Sequence, residues 1–266
     1  MFFFSIYSFL CKFLKFNLKS YVCNKIFVDK MNIEVCFSPQ SYPLFDNKNT
    51  IVVVIDILRA SSAITTAFFN GVSKMIPIAS LEEAYQYKKD GFIVAAERDG
   101  IIIDGFELGN SPFGYMNKKV FGKIIAITTT NGTQAIEASK TASKVIIGSF
   151  LNLNTVIEFL NKEQKDVLFL CSGWKNKFNL EDTLFAGAAA QALMNNFEFK
   201  TSCDSTIAAV KLYNLAKDDL FSFLENSSHR KRLSNLELDR DIKYCLTLNQ
   251  CPVLPILDGK FLIKGD

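Results

Sequence analysis

The sequence lacks the residue patterns on which several large protein classes depend. It contains neither GxxxxGKS/T nor GxGxxG, so the glycine-rich loops that commonly hold nucleotides are absent. Its single histidine, His229, excludes any site that needs a histidine cluster. None of its seven cysteines forms a CxxC pair, and their scattered positions favour reduced thiols in a cytoplasmic protein over disulfides or a zinc site.

The chain also has little excess charge of either sign. It has 30 lysine and arginine residues against 27 aspartate and glutamate residues, a formal net charge of +3. Five of the lysines fall in residues 1–30, which contain one acidic residue, so the rest of the chain is close to neutral. A nucleic-acid-binding surface needs a strong basic surplus, and we therefore expect no nucleic-acid partner.

Long hydrophobic runs are missing as well. The apolar run at residues 2–11 is shorter than the roughly 20 residues that cross a bilayer, and no small-residue cleavage site follows it. Residues 1–30 are open to two interpretations: a basic amphipathic helix on a membrane surface, or an N-terminal extension from an upstream start codon or without stable order. We favour the extension and expect no membrane partner, because MNIEVCFSP from Met31 onward is typical of a first strand.

From Met31 onward, short apolar segments alternate with segments of helical pattern. This alternation predicts one layered α/β/α domain over 31–266, with a mostly parallel or mixed sheet covered by helices on both faces. Strands are predicted at 33–37, 51–56, 75–79, 92–97, 123–129, 144–148 and 167–173. Helices are predicted at 61–72, 80–90, 133–142, 152–163, 180–196 and within 204–248, and a terminal hairpin or strand at 252–262.

Ligands of open α/β sheets bind beyond the carboxyl ends of the strands, so polar residues at the strand-to-helix junctions are the candidates for a site. The first junction is IVVVIDILRASSAITT at 51–66, where Asp56 ends a strand and Arg59 follows in the turn. Ser61 and Ser62 are predicted N-caps of the next helix. A structural Asp–Arg pair with an ordinary cap explains the same residues, so this stretch alone does not identify a ligand site.

The second junction, AAERDGIIIDGFELGNSPFGY at 95–115, is a long polar loop with several glycines. Glu97 and Arg98 follow a predicted strand. Compact domains rarely keep such loops without a function. The structural alternative is a β-hairpin formed by IIID, Gly105 and FEL. We expect both: a hairpin that presents Glu97 and Asn110.

The third junction, ITTTNGTQAI at 127–136, joins a strand to a helix through a short polar turn. Thr130, Asn131, Gly132 and Thr133 combine hydroxyls, a glycine and free helix N–H groups, which together are typical of a phosphate-binding turn. A simple turn with a threonine cap is the alternative.

The fourth junction is LFLCSGWKNKFNLEDTLFAGA at 168–188. Cysteine phosphatases need Cys, five residues and then Arg, but Lys177 stands at the sixth position after Cys171, so that chemistry is rejected. Glu181 and Asp182 start a predicted helix. We expect one of these acids to complement the helix dipole and the other to bind a metal ion.

A basic segment, SSHRKRL at 227–233, contains the single histidine. His229, Lys231 and Arg232 are either a solvated basic helix end or a clamp for an anion. The carboxylates Asp56, Glu97, Glu181 and Asp182 suit a hard divalent cation such as Mg²⁺. Carboxylates for a metal ion, with cations for an anion, indicate metal-assisted chemistry on a phosphate ester.

The chain resembles the 2-phosphosulfolactate phosphatase family in several separate blocks. The matching blocks are, in order, VIDILRASSAITTAFFNGV, AAERDGIIIDGFELGNSPFGY, TTTNGTQAI and CSGWKNKFNLEDTLFAGA. The C-terminal block of the family resembles SSHRKRL with DIKYC and VLPILDG, so the resemblance covers about 31–262. It implies a Mg²⁺-dependent phosphatase that hydrolyses 2-phospho-3-sulfolactate to 3-sulfolactate and phosphate, a step of coenzyme M biosynthesis.

The chain departs from the family pattern at a few positions. It has Arg230 where a glycine is usual, Glu107 and Asn249 where aspartate is usual, and Ala95–Ala96 where two glycines are frequent. We expect the bulkier Arg230 and Ala96 to reshape the substrate pocket and to affect the choice of substrate more than the class of reaction.

The chemistry of the matching positions suggests a role for each residue. We expect Asp56, Glu97 and Asp182 to bind Mg²⁺. Arg59 and Arg98 are expected to hold the phosphate and to stabilise charge as the P–O bond breaks, with Asp56 and Glu97 completing the catalytic set. The predicted substrate-binding residues are Ser61, Ser62, Asn110, Thr130, Asn131, Gly132, Thr133, His229, Lys231 and Arg232. The last three are expected to bind the sulfonate and carboxylate of the substrate.

Three points stay open on sequence grounds. The nucleophile is expected to be metal-activated water, with an aspartyl-phosphate at Asp56 as the alternative. The substrate could instead be another small phosphorylated carboxylic acid, or the chain could be a catalytically idle anion-binding module of the same fold. The oligomeric state is not determined, and a homodimer is the assembly considered.

Overall fold

The computed structural model describes residues 30–45 and 48–265. The predicted N-terminal extension at 1–30 therefore lies outside the described residues, except for Lys30, and its interpretation stays a prediction. The first predicted strand forms and begins at Met31. Within the described ranges, no helix combines the length and the apolar character needed to span a bilayer.

Apolar segments of the chain pair into one eleven-stranded sheet. The strands are β1 Met31–Cys36, β2 Ile51–Ile55, β3 Lys74–Pro77, β4 Ile93–Arg98, β5 Ile101–Ile102, β6 Ile124–Thr128, β7 Lys144–Gly148, β8 Val167–Cys171, β9 Phe199–Lys200, β10 Pro255–Asp258 and β11 Phe261–Lys264. Every residue of β2 and β8 is buried, as expected for strands covered on both faces.

The sheet is mixed because a terminal hairpin is inserted between two sets of parallel strands. The strand order is β5-β4-β6-β3-β11-β10-β7-β2-β8-β1-β9. The strands β4, β6 and β3 pair in parallel on one side, and β7, β2, β8, β1 and β9 pair in parallel on the other. The hairpin strands β10 and β11 pair antiparallel with each other and with their outer neighbours, β7 and β3. The predicted mostly parallel or mixed sheet is confirmed.

The helices follow the strands in the predicted alternation. They are α1 Ala60–Phe69, α2 Leu81–Lys89, α3 Gly132–Ala138, α4 Leu153–Glu163, α5 Leu180–Met194, α6 Asp204–Ala216, α7 Leu220–Phe223, α8 Ser228–Ser234 and α9 Asp239–Cys245. The segment predicted as helical at 204–248 is thus divided into four short helices, and β9 was not predicted.

Alternating side chains of the strands pack into two hydrophobic cores, one on each face of the sheet. In β2, Val52 and Val54 pack with α1 and α3, while Ile51, Val53 and Ile55 pack with α4 and α5. Met75 of β3 and Ile125 and Ile127 of β6, from the other parallel set, belong to the same core as α1. On the outer side of that set, α2 covers a third core. The layered α/β arrangement with helices on both faces is therefore confirmed.

Two local predictions are wrong. The hairpin expected at 101–108, with its turn at Gly105, forms instead between β4 and β5, where Asp99 and Gly100 both take positive φ angles of 52° and 88°. Ser61 and Ser62 are not N-caps, because α1 begins at Ala60. Asp56 Oδ1 already accepts the Ala60 N–H at 3.2 Å and so supplies the acceptor that a capping serine would have offered.

Candidate functional site

The junctions after β2, β4 and β6 meet at a polar pocket, although these strands belong to different parallel sets. The junctions after β2 and β6 meet because α1 and α3, which follow them, pack closely. A Cβ on Gly132 would lie 2.7 Å from Ala60 Cβ and 2.8 Å from Asp56 Oδ2. Only glycine fits that contact without movement. The pocket is lined mainly by Asp56, Arg59, Glu97, Asn110, Thr130, Asn131, His229 and Arg232.

Asp56 lies on the pocket wall, directly beyond the last residue of β2. Its backbone is fixed by hydrogen bonds to the first turn of α1, with Ser61 Oγ accepting the Asp56 N–H at 3.2 Å. Burial raises the pKa of the Asp56 carboxyl to about 6, opposed by His229 and the Ala60 N–H and reinforced by the negative charges of Glu97 and Glu181. A buried carboxylate with acidic neighbours is a place where a cation is stabilised.

Glu97 is the next-to-last residue of β4, and both of its carboxylate oxygens are hydrogen-bonded. Asn110 Nδ2 donates to Oε2 at 2.8 Å, and the Gly100 N–H donates to Oε1. The β4–β5 turn and the loop that follows are thereby tied together. The expectation that this loop presents Glu97 and Asn110 at one place agrees with the geometry, although the hairpin forms elsewhere in the loop.

Arg59 is buried, and two of its nitrogens contact other parts of the chain. Nη1 donates to Asp241 Oδ1 of α9 at 2.6 Å, and Nη2 donates to the Gly100 carbonyl at 2.9 Å. Arg98 points elsewhere: it donates to the Glu97 carbonyl and to Thr128 Oγ1, and it is not among the pocket-lining residues. Arg59 is therefore better placed than Arg98 to meet a ligand, and the role predicted for each stays a prediction.

The adjacent acids Glu181 and Asp182 differ in their surroundings. Asp182 accepts hydrogen bonds from the Ile57 N–H at 2.8 Å, the Gly173 N–H at 3.1 Å and Asn179 Nδ2 at 2.9 Å. It joins the loop after β2 to the loop after β8, and burial next to Asp56 and Glu181 raises its pKa well above the usual range. These bonds leave Asp182 less available to a metal ion than Glu181.

Glu181 is fully buried and keeps one free carboxylate oxygen. Its Oε1 contacts His229 Nδ1 at 2.5 Å and accepts from Asn179 Nδ2 at 3.2 Å, whereas Oε2 has no partner. The same contact fixes the His229 ring, which lies at the pocket wall, nearly parallel to the Trp174 ring at 6.3 Å between centroids.

The other predicted substrate-binding residues separate into pocket residues and local structural residues. Ser62 Oγ donates to the Ile57 carbonyl, and Thr133 Oγ1 bonds to the Thr129 backbone, so both hydroxyls are used within their own turns. Thr130 and Asn131 line the pocket. Lys231 is exposed and absent from the lining, whereas Arg232, one residue later, is part of it.

The two bulky departures from the family pattern lie away from the pocket. Arg230 donates to the Phe221 carbonyl at 2.5 Å and stacks over the Phe221 ring at 3.8 Å. Ala96 packs in the core beneath α2. The structure therefore does not support the expectation that Arg230 and Ala96 reshape the substrate pocket.

Several buried polar atoms without a partner belong to residues that line this pocket or contact its residues. Among the described residues, the buried side-chain polar atoms without a hydrogen-bond partner are Asn110 Oδ1, Thr130 Oγ1, Ser172 Oγ, Trp174 Nε1, Asn179 Oδ1, Glu181 Oε2, Arg232 Nε and Arg232 Nη1. Buried polar groups are normally paired, so a set gathered at one place indicates that a ligand completes it.

The residues fit a magnesium ion only in part as predicted. Within the described ranges, no three Asp, Glu, His or Cys side chains come together as a metal cluster, so Asp56, Glu97 and Asp182 do not form a preformed three-ligand site. Mg²⁺, however, usually binds one or two carboxylates and keeps water and phosphate oxygens as its other ligands. Asp56 on the pocket wall and Glu181, whose charge acts on Asp56 and whose Oε2 is free, fit that smaller requirement.

Three residues of the site were missed or left out by the sequence interpretation. Trp174 and Asp241 lie within the blocks CSGWKNKFNLEDTLFAGA and DIKYC but were not singled out. Glu181 was considered as a carboxylate for a cation and then left out in favour of Asp182. The only signal for Trp174 was its place two residues beyond Ser172, at a polar strand end.

Comparison with known proteins gives a consistent result. A sequence model of the 2-phosphosulpholactate phosphatase family matches residues 36–260. A protein of Caldanaerobacter subterraneus subsp. tengcongensis named probable 2-phosphosulfolactate phosphatase is 40% identical over 216 residues, which are 80% of this chain and 89% of the relative. Proteins of the same name from Thermotoga maritima and Picosynechococcus sp. are 41% and 38% identical, over 80% and 88% of this chain and 91% and 99% of their own.

Proposed function

Because this chain belongs to the 2-phosphosulpholactate phosphatase family, we propose that it hydrolyses a phosphate monoester and that its substrate is 2-phospho-3-sulfolactate. The observation that carries this proposal is the group of unpartnered buried polar atoms that includes Asn110, Thr130 and Arg232, which line the pocket together with Asp56. Acceptors and donors both occur in the group, which suits a ligand that combines a hydrated cation with anionic groups. A catalytically idle module would have less reason to keep these unsatisfied atoms, because each one costs free energy in the absence of a ligand.

We propose Mg²⁺ as the cofactor, with Asp56 and Glu181 as its protein ligands and Glu97 next to them. When bound, the ion polarises the phosphoryl group and activates water. The protein side chains do the rest: Asn110 and Gly100 orient Glu97, and His229 and Asn179 orient Glu181. The nucleophile is water in this proposal, and attack by Asp56 itself remains the alternative.

The phosphate would lie between the acidic residues and the turn after β6. Thr130 Oγ1 is buried and unpartnered there, and Asn131 lines the same wall. A guanidinium has five N–H donors, so Arg59 keeps donors for phosphate oxygens beyond those that contact Asp241 and Gly100. A fixed positive charge of this kind stabilises the charge that develops when the P–O bond breaks.

The products would be 3-sulfolactate and inorganic phosphate. The same proposal assigns the chain to coenzyme M biosynthesis in the cytoplasm, as the family resemblance implies. The structural alternative is a phosphatase of another small phosphorylated acid, because the carboxylates and Arg59 would serve any such ester equally well.

A substrate panel tests the proposal. Purified protein is assayed for phosphate release from 2-phospho-3-sulfolactate, 2-phospholactate, 3-phosphoglycerate and p-nitrophenyl phosphate, with Mg²⁺ and with EDTA. We expect the highest kcat/KM for 2-phospho-3-sulfolactate and loss of activity with EDTA that added Mg²⁺ restores. Equal kcat/KM values across the panel would refute the named substrate, and activity that persists in EDTA would refute the cofactor.

A further inference from the structure

Trp174, the only tryptophan of the chain, contacts the pocket-lining residues His229 and Arg232. It begins a tight turn after β8, in which the Trp174 N–H donates to the Lys177 carbonyl and the Lys177 N–H donates back, both at 3.0 Å. Lys175 and Asn176 take positive φ angles of 50° and 59° within the turn. The Lys175 N–H donates to Asn131 Oδ1 at 3.2 Å, which ties this turn to the turn after β6.

The indole ring contacts two of the pocket-lining residues of α8, His229 and Arg232. The His229 ring lies nearly parallel to it, with an interplanar angle of 19°. The Arg232 guanidinium carbon is 5.4 Å from the ring centroid, a distance typical of a cation–π contact. Trp174 therefore orients Arg232 without using any of the hydrogen-bond donors of that guanidinium.

Trp174 and Arg232 together present buried donors that have no acceptor in the protein. Arg232 Nε, Arg232 Nη1 and Trp174 Nε1 are all unpartnered. Buried N–H donors without an acceptor are costly, and an anion placed here would complete the hydrogen bonding of Arg232 and Trp174. Neither side chain can accept a hydrogen bond, which restricts the ligand group to one that offers only acceptors.

The remaining unpartnered atoms are of a different kind. Asn110 Oδ1, Asn179 Oδ1 and Glu181 Oε2 are acceptors on residues that are acidic or that donate to an acid, and Thr130 Oγ1 and Ser172 Oγ are hydroxyls that can donate or accept. Acceptors beside acids suit a cation and its water ligands. Apart from the two hydroxyls, the unpartnered atoms are therefore acceptors associated with acidic residues and donors that belong to Trp174 and Arg232.

We propose that Trp174 and Arg232 form the subsite for the sulfonate of the substrate, and that Trp174 is a specificity-determining residue. This inference rests on the proposed function. A sulfonate carries a permanent negative charge, has no proton to donate and offers three acceptor oxygens, which matches the three unpartnered donors. A phosphate ester, which can also carry a proton, fits the mixed donors and acceptors around Thr130 and Asn131 better.

Two variants remove the donors separately. Trp174→Phe keeps an aromatic ring against His229 and Arg232 but removes the N–H donor, and Arg232→Gln removes the charge. Lys177→Gln is the matched control, because it removes an exposed positive charge from the same turn without touching either donor. Since Arg232 Nε and Nη1 have no protein partner, Arg232→Gln is expected to fold as the parent does, which circular dichroism and a thermal melt verify.

The experiment measures ligand affinity and the ratio of kcat/KM values between two substrates, in addition to activity. Calorimetry measures binding of 3-sulfolactate, lactate and inorganic phosphate to the full chain with Mg²⁺. We expect Trp174→Phe and Arg232→Gln to weaken the binding of 3-sulfolactate by about 10-fold or more, because each variant loses hydrogen bonds to a charged group. The binding of inorganic phosphate should be unchanged. In turnover, both variants should lower the kcat/KM for 2-phospho-3-sulfolactate and reduce its ratio to that for 2-phospholactate.

The two proposals fail in distinguishable ways. If the parent protein binds 3-sulfolactate through these residues but releases no phosphate from any ester, the proposed function is wrong and the sulfonate subsite stands. If the parent hydrolyses 2-phospho-3-sulfolactate but Arg232→Gln keeps both its affinity for 3-sulfolactate and its substrate ratio, the subsite is overturned. An equal loss of phosphate and sulfolactate binding would also overturn it, because the residues would then serve the phosphate.

Discussion

Arg59 and Asp241 form a buried ion pair, with Arg59 Nη1 2.6 Å from Asp241 Oδ1, although 182 positions separate them in the chain. Arg59 is the N-cap residue of α1, and Asp241 lies in α9. The pair therefore attaches the C-terminal helices to the junction after β2. The second Arg59 contact, with the Gly100 carbonyl, attaches the β4–β5 turn to the same guanidinium.

Asp241→Asn should weaken this attachment. It leaves Arg59 buried without a counter-charge, and breaking a buried pair in this way typically costs about 3–5 kcal/mol of unfolding free energy. We also expect a lower kcat/KM, because Arg59 loses its orientation. Urea unfolding and phosphate-release assays measure the two effects. Asp218→Asn, which removes an exposed acid, is the control; an Asp241→Asn protein as stable as this control would contradict the role of the pair.

Glu181→Gln and Asp182→Asn should separate ligand binding from structure. Asp182 accepts three hydrogen bonds from protein N–H groups, and an asparagine amide would face at least one of these donors. We therefore expect Asp182→Asn to lower the unfolding free energy by roughly 1–3 kcal/mol. Glu181→Gln should keep more of the stability but weaken Mg²⁺ binding, as measured by calorimetry. The reverse pattern would show that the sequence-based choice of Asp182 as metal ligand was right.

Gly132→Ala should disturb the pocket by crowding. The added Cβ would lie 2.7 Å from Ala60 Cβ and 2.8 Å from Asp56 Oδ2, so α1 and α3 must move apart or Asp56 must turn. We expect a loss of about 1–3 kcal/mol in stability together with a fall in kcat. Gly114→Ala is the matched control, since its Cβ would meet Leu108 Cδ2 at an ordinary 3.4 Å. If both variants behave alike, close packing at Gly132 is unimportant.

Asp56→Asn should stabilise the metal-free protein at neutral pH. Burial raises the pKa of Asp56 from 3.8 to about 6, so the folded protein holds the proton more tightly than the unfolded chain. The stability contribution of this group is therefore intact below pH 3.8 and is lost as the pH rises to about 6.

A pKa shift of this size lowers the unfolding free energy by ~3 kcal/mol at neutral pH. Asparagine carries no charge, so the Asp56→Asn protein does not lose this unfolding free energy. In EDTA at about pH 8, Asp56→Asn should melt at a higher temperature than the parent, and the advantage should vanish near about pH 4. A lower melting temperature at both pH values would contradict the assignment of Asp56 as a buried, destabilising carboxylate.

The sequence predicted the fold and the general place of the site because both depend on local patterns. Buried strands appear in the sequence as apolar runs. The polar residues at or just beyond the carboxyl ends of these runs include Asp56, Glu97, Thr130 and Asn131. The hairpin inserted between β3 and β7 could be anticipated only as a terminal element, because its place in the sheet depends on pairing between distant segments.

Other features of the site depend on contacts that the sequence does not display. Asp241 meets Arg59 through the packing of α9, and Trp174 meets Arg232 through the packing of α8. Whether Glu181 or Asp182 is free to bind a metal ion depends on which of the two carboxylates accepts hydrogen bonds from the loops after β2 and β8. Spacing along the chain carries no information on that.

The central claim is that Asp56 belongs to a magnesium-dependent phosphatase site, and one comparison tests it most directly. Phosphate release from 2-phospho-3-sulfolactate is measured with saturating Mg²⁺ for the parent and for Asp56→Asn, with folding of both verified by thermal melts. We predict that kcat/KM falls by at least about 100-fold, since several kcal/mol of transition-state stabilisation is lost with the ligand. Unchanged turnover by a folded Asp56→Asn protein would contradict the claim.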